Sequence, residues 1–225
     1  MSSKKTSSEL DGMIYGILLG DGHIRKPSKA GTCSFILHHS TKQKDYLFYK
    51  LKLLKEISHV KFNYWEKQQL NKNGKTYNSI YAQSNCLKYF KKLRDIFYSK
   101  DNKKILTKKI LNKLTPLGLA LWWFDDGCLY INRGKSNKIE RRAFLATQNC
   151  TEKEHDLIVH YFFKTWNIKV VKRVHPTTKQ FYINFPIPEF KKFVNIIKDY
   201  SIPSMEYKID LKLELNRKTG PKPVG

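Results

Sequence analysis

Two stretches of this chain place aspartates where a helix would ordinarily avoid them. Ser8 to Asp21 reads as a helix that ends in Gly20-Asp21-Gly22, and a second helix, entered through Thr115-Pro116, ends in Asp125-Asp126-Gly127. Glycine just past a helix is ordinary C-terminal chemistry. A carboxylate there faces the negative end of the helix dipole, unfavourable by about 0.3–1 kcal/mol. If the two helices pack in parallel, the carboxylates converge and repel further. A hard divalent cation relieves both penalties. Oxygen ligands of this kind suit Mg2+, which keeps several waters and takes other ligands from phosphates. A lone Gly-Asp-Gly is more often a turn. The same placement twice, each time after an apolar helix and before a strand, points to a site.

The elements around these acids recur. In the first helix, Ser7 or Ser8 offers an N-cap, and Gly12, Gly16 and Gly20 share one face. Each glycine weakens a helix by about 1 kcal/mol relative to Ala, so the stripe implies close contact with another backbone. Strands are expected at His23–Lys26 and Cys33–His39, then a helix capped by Thr41 and running to about Ile57. A hairpin over Val60–Gln68 and Lys75–Ser84 turns at Asn71-Lys72-Asn73-Gly74. A helix at Cys86–Tyr98 and a basic stretch, Lys100–Lys113, complete the set. After Pro116 come strands at Cys128–Arg133 and Ile139–Gln148, and a helix capped by Thr151 and running to about Trp166. A hairpin over Lys169–His175 and Lys179–Phe185, then a helix at Pro188–Tyr200, close the second set. Asp21 and Asp126 lie 105 residues apart, and Thr41 and Thr151 lie 110 apart. The reading is an α+β fold of two pseudo-symmetric αββαββα repeats, residues 1–114 and 115–225, the second ending in a basic tail.

Composition narrows the partner. Lys and Arg number 43 against 19 Asp and Glu, a net charge of +24 that exceeds the needs of solubility and points to a polyanion. No apolar run approaches the roughly 18 residues of a membrane span, and the polar first residues do not read as a secretory signal. Cys33, Cys86, Cys128 and Cys150 stand far apart without a Cys-x-x-Cys, which disfavours a zinc cluster or a disulfide scaffold. His38-His39 lacks the Asn-x-x-x-His that an HNH-type metal site would need. The aromatic residues, spread over helices and hairpins, read as core more than as an RNA-stacking platform.

Ile14-Tyr-Gly-Ile-Leu-Leu-Gly-Asp-Gly22 and Leu119-Ala-Leu-Trp-Trp-Phe-Asp-Asp-Gly127 resemble the paired motifs of single-chain LAGLIDADG homing endonucleases of the intron-encoded type. Pro116 before the second motif, and Ile-Pro-x-Met-x-Tyr-Lys at Ile202–Lys208, strengthen the likeness. The first motif departs in Leu19 and Gly20. The second departs in Leu121, where the motif has glycine, and in two tryptophans. The resemblance implies a saddle-shaped, DNA-binding antiparallel sheet of four strands in each repeat, backed by helices. It implies that Asp21 and Asp126 are the catalytic, metal-binding acids, with Gly20 and Asp125 as subsidiary metal contacts. It also implies a basic residue beside each site, for which Lys104 and Lys208, 104 residues apart, are the candidates. The expected activity is Mg2+-dependent cleavage of both strands of a long asymmetric DNA target, leaving 3′ overhangs, with Mn2+ able to substitute.

One face of each sheet should meet the DNA major groove. Phe181, Ile183 and Phe185 alternate with Gln180, Tyr182 and Asn184, so the latter three face outward. Lys61, Asn63 and Lys67 share a face, as do His23 and Arg25. Asn78, Arg133, Arg141, Lys172 and Arg173 are further candidates, and His38 and Gln148, 110 residues apart, are candidates for a polar surround of the acids. The alternative reading is a maturase that binds its intron RNA with the same fold. A DNA-binding regulator is disfavoured by the intact acids, and an intein-borne enzyme by the lack of flanking splicing segments. One chain with two unlike halves implies a functional monomer. Richness in Lys, Asn, Ile and Tyr suits an AT-rich genome, an organelle's before a bacterial or phage one.

Overall fold

Thr6, not Ser7 or Ser8, starts the first helix. Its hydroxyl accepts from Glu9 N–H at 3.3 Å, and the Glu9 carboxylate accepts from Thr6 N–H at 2.8 Å. Glu9 stands three residues after Thr6, the spacing that lets a capping box close. The computed structural model describes residues 6–27, 29–70, 73–133 and 139–212, without the side chains of Ser7 and Arg133. Asn71, Lys72 and the basic tail beyond residue 212 lie outside the described residues.

Helix α1 (Ser7–Leu19) leads into β1 (His23–Ile24) and β2 (Phe35–Ser40). Ser40, rather than Thr41, caps a short 3-10 turn, and α2 (Lys44–Leu54) follows it. Strands β3 (Phe62–Leu70) and β4 (Thr76–Ser84) form the long hairpin, with Gly74 at φ +72°. Helix α3 (Lys88–Phe97) starts later than Cys86 because Leu87 is extended and bridges Cys33. The basic stretch holds one helical turn, α4 (Lys108–Leu111), capped by Thr107. Helix α5 (Pro116–Asp126) is capped by Thr115. Then come β5 (Gly127–Arg133), β6 (Ile139–Leu145), α6 (Glu152–Trp166), β7 (Val171–Val174), β8 (Phe181–Phe185) and α7 (Ile187–Ile197). Strand β6 ends before Gln148, which sits in a turn.

The architecture is α+β, with two antiparallel four-stranded sheets ordered β1-β2-β4-β3 and β5-β6-β8-β7. Each sheet buries one face under helices. Leu37, Ile80 and Ala82 line it in the first sheet, and Ala143, Leu145, Ile183 and Phe185 in the second. Trp123 of α5 packs edge-on or tilted against Phe185, Phe190 and Phe193, which fills the second core. The aromatics are not all core, however. Trp65 and Tyr77, on the outer face of the first sheet, are 44% and 45% exposed. No described helix is long and apolar enough to cross a membrane.

The glycine stripe has the function expected of it. A Cβ on Gly16 would stand 2.0 Å from the Gly118 carbonyl oxygen, and one on Gly118 would stand 2.1 Å from the Gly12 carbonyl oxygen. The α1 and α5 backbones therefore touch directly. Gly16→Ala gains about 1 kcal/mol of helix propensity, but no rotamer change can relieve a clash with backbone. Overpacking of this kind costs about 1–3 kcal/mol and more when the backbone must move. We expect G16A to lower the urea midpoint, a net loss of about 2 kcal/mol; an unchanged or higher midpoint would contradict the contact.

Candidate active site

Helices α1 and α5 end side by side, and the two ends differ. Helix α1 stops at Leu19, Gly20 N–H closes back on Gly16 O, and Asp21 lies just beyond. Helix α5 keeps both Asp125 and Asp126 in its last turn before Gly127 closes on Trp123 O. Each end exposes carbonyls that need a donor. Lys104 Nζ donates to Gly20 O at 2.8 Å. Lys208 Nζ donates to Phe124 O at 2.6 Å and to Asp125 O at 3.0 Å. The two lysines singled out in the sequence thus act alike on corresponding helix ends. Lys208 is itself held by Trp123 Nε1–H donating to its carbonyl at 3.0 Å.

Asp125 links the halves. A Cβ on Gly20 would stand 2.4 Å from Asp125 Oδ2, so the glycine leaves room for this carboxylate. Asp125 Oδ2 accepts from the Asp21 backbone N–H at 3.0 Å, and Oδ1 accepts from Lys50 Nζ at 2.5 Å. The Lys50 and Asp125 side chains are both fully buried. The pair was not foreseen from the sequence, although Lys50 falls on the same helix face as Tyr46, Leu47 and Leu54. Lys50 Nζ also lies 3.1 Å from His39 Nε2. An ammonium only donates, so Nε2 is the acceptor and the ring proton sits on Nδ1. Nδ1 faces Asp21 Oδ2 at 3.7 Å. Burial, aided by Lys50, pushes the His39 pKa down to about 3, so the ring is neutral near pH 7. Tyr46 O–H donates to Leu121 O at 3.2 Å and ties α2 to α5. The histidine that enters the site is therefore His39. His38 points to the opposite face of β2, where it stacks on Tyr81.

The remaining charge is unbalanced. Burial raises the Asp126 pKa to about 7, with further repulsion from Asp125 and Asp21. Burial and then Asp125 raise that of Asp21. Burial lowers the pKa of Lys104 and Lys208, opposed by the three aspartates. Oxygens of Asp21 and Asp125 and a ring nitrogen of His39 lie within 4.8 Å of one another. Yet Lys50 already neutralises Asp125, and the His39 nitrogen nearest Asp21 carries the proton. Among the described residues, no lysine or arginine is salt-bridged to the carboxylates of Asp21 or Asp126. Their hard oxygens and raised pKa values fit a divalent ion.

The candidate DNA contacts divide by strand parity. His23, His38, Asn63 and Lys67 lie on the open face of the first sheet, and Tyr182, Asn184 and Arg173 on that of the second. Arg25, Lys61 and Gln180 are exposed just outside strand ends. Gln148 is exposed in its turn, away from any strand. Three candidates fall on the helix-backed side. Asn78 shares its parity with Ile80 and Ala82. Arg141 Nε donates to Leu211 O at 3.0 Å. Lys172 pairs with Glu152 and Asp156 of α6 at 3.0 and 2.6 Å. Arg133 ends β5 opposite Ile139, and its side chain lies outside the described part.

The sequence model described as the LAGLIDADG DNA endonuclease family matches residues 12–193. The cytochrome b mRNA maturase bI2 of Saccharomyces cerevisiae is 30% identical over 213 residues, covering 88% of this chain and 46% of the relative. Its namesake in Debaryomyces hansenii is 26% identical over 208 residues, 92% of this chain and 76% of the relative. A protein RecA of Mycolicibacterium flavescens is 28% identical over 207 residues, 88% of this chain and 45% of the relative. The chain thus spans less than half the length of the Saccharomyces maturase and of the Mycolicibacterium flavescens RecA. Among solved structures, the homing endonuclease I-WcaI bound to its DNA recognition sequence has the same fold. Its TM-score is 0.80 at 22% identity, covering 95% of this chain and 90% of that one.

Two measurements probe the electrostatics. Lys50→Met strands a buried carboxylate and should cost about 3–5 kcal/mol in chemical denaturation, whereas Lys50→Met with Asp125→Asn should recover more than half. Additive losses would show that the two groups do not interact. In the metal-free protein, the unfolded chain ionises Asp126 near pH 4 while the folded chain holds its proton to about pH 7. This group's contribution to stability therefore falls as pH rises through that window. Asp126→Asn should raise the melting temperature more at pH 7.5 than at pH 4.5; an equal gain at both would refute the displaced pKa.

Proposed function

Because the chain belongs to the LAGLIDADG DNA endonuclease family, whose sequence model spans residues 12–193, we propose that it is a site-specific homing endonuclease. It makes a metal-dependent double-strand break in a long asymmetric DNA target and leaves 3′ overhangs. The observation that carries this reading is the pair of uncommitted acids, Asp21 and Asp126, at touching helix ends that each lead into an edge strand of an antiparallel sheet.

Asp21 and Asp126 would hold the ion, Mg2+ in the first instance with Mn2+ able to replace it. The Gly20 carbonyl is a further oxygen at the same helix end. When bound, a divalent ion supplies charge to the phosphate oxygens and acidity to water. The chain's own residues supply order. Lys104 and Lys208 fix the two helix ends from opposite halves and keep positive charge near the place where phosphate must sit. Asp125 holds the Asp21 backbone, and His39 directs its Nδ1–H at the Asp21 carboxylate. The net charge of +24 draws the DNA backbone in, so affinity should fall steeply with salt.

The two repeats, 1–114 and 115–225, are taken as the two half-sites of a functional monomer, since one chain carries both acids. The yeast relatives named as maturases favour a second reading, in which the chain also binds intron RNA. They also support an organellar origin, which the AT-leaning composition suits.

The test is incubation with Mg2+ and a plasmid carrying the uninterrupted host gene. We expect one double-strand cut, lost on chelation and reduced about 100-fold or more in Asp21→Asn or Asp126→Asn. Cutting that persists in either variant, or without divalent metal, would overturn the site. Tight RNA binding with no DNA cutting would leave the maturase reading alone.

A further inference from the structure

Across the open face of the first sheet, three rings from three neighbouring strands stand in one row. His38 of β2 and Tyr81 of β4 are register partners whose rings stack 4.2 Å apart at 8°. Trp65 of edge strand β3 is the next partner, stacked on Tyr81 at 5.8 Å and 9°. These separations approach the spacing between strands, about 4.8 Å. The ring normals therefore run along the sheet, and the rings stand upright with their edges outward. The Tyr81 hydroxyl is tied down, accepting from Gln69 Nε2–H at 2.8 Å. Burial lowers the pKa of His38, which favours the uncharged ring.

The row is thus an aromatic ridge on a strongly cationic protein, and the carbon edges of its rings suit an apolar partner within a polyanion. The adjoining row on the same face carries the amides Asn63 and Gln83. In the major groove the one apolar group is the thymine C5-methyl, and the preferred partner of an amide is the adenine opposite. Upright rings offer edges to such methyls. They do not offer the flat faces on which unpaired bases stack.

We propose that the His38–Tyr81–Trp65 row reads thymine methyls and gives the first half-site a preference for A·T pairs. Trp65, exposed on the edge strand, is the specificity-determining residue. The inference rests on the DNA-binding reading above and adds to it the identity of the groups read.

The test takes duplexes enriched from a random-sequence library by the full chain without divalent ions. These are resynthesised with deoxyuridine for thymidine, which removes only the methyl. Burial of one methyl is worth about fourfold in affinity, so the thymine duplexes should bind at least about fourfold tighter. Trp65→Ala should reduce that ratio towards one while keeping the salt dependence, and Asn63→Ala should leave the ratio intact. Equal binding of thymine and uracil duplexes by the unaltered chain would overturn the proposal without any variant. So would Trp65→Ala with its ratio unchanged, or one that loses single-stranded RNA binding and keeps thymine preference. Failure to enrich any duplex would instead strike the DNA-binding reading itself.

Discussion

Direct contact between the backbones of α1 and α5 is the constraint on which the site depends. It requires glycine at 12, 16 and 118, because any Cβ there would enter the partner helix or its cap. It also brings two negative helix ends together. The structure offsets this with three lysines from outside the pair. Lys104 and Lys208 serve the carbonyls, and Lys50 serves Asp125. With those cations committed, Asp21 and Asp126 remain as charge that burial and repulsion from Asp125 have made costly to ionise. Hard carboxylate oxygens in such surroundings are the kind that suit a divalent cation.

The same contact explains what the sequence could and could not reveal. Glycine spacing, Thr-Pro at the start of α5 and the doubled acids are local signals, and the repeated order of helices and strands follows from them. The carbonyl-capping lysines were reachable through the family resemblance, which implies a basic residue beside each acid, with their matched offsets as support. Lys50 was legible in principle, as a lysine on the apolar stripe of α2 beside Tyr46, Leu47 and Leu54. His39 was legible too, since it follows Phe35 and Leu37 at strand spacing and so faces inward. What hid Lys50 is that its partner, Asp125, lies 75 residues away. Successive helix residues do not share a face, and Asp125 and Asp126 accordingly serve different ends; that argument alone could not say that Asp125 is a buried anchor.

Strand parity fared differently at the two ends of the strands. Near the hairpin cores it is pinned by buried Ile80, Ala82, Ile183 and Phe185. Asn78, Arg141 and Lys172 lie towards strand ends or edges, on the face that the inward-pointing core residues occupy further along the same strands. Lys172 is taken by two acids of α6, and Arg141 by a backbone carbonyl. Charge count therefore overstates the surface available for base readout. Under the proposed function, much of the +24 would serve attraction to phosphate, and discrimination would fall to fewer groups on the open faces.

The halves are complements more than copies. At the position before the second aspartate stands a carboxylate, and at the matching position in the first half stands the glycine that receives it. Two first halves would face glycine with glycine, leaving Lys50 buried without an anion. Two second halves would press Asp125 against Asp125, with no lysine between. The buried polar pair of α6, His155 with Thr147, uses both ring nitrogens within its own half and sends nothing across. Asp125 and Lys50 thus couple the halves in a way that neither half could achieve with its own duplicate. Once such a pair is buried, removing either member costs several kcal/mol, so the two repeats are bound to diverge together within one chain.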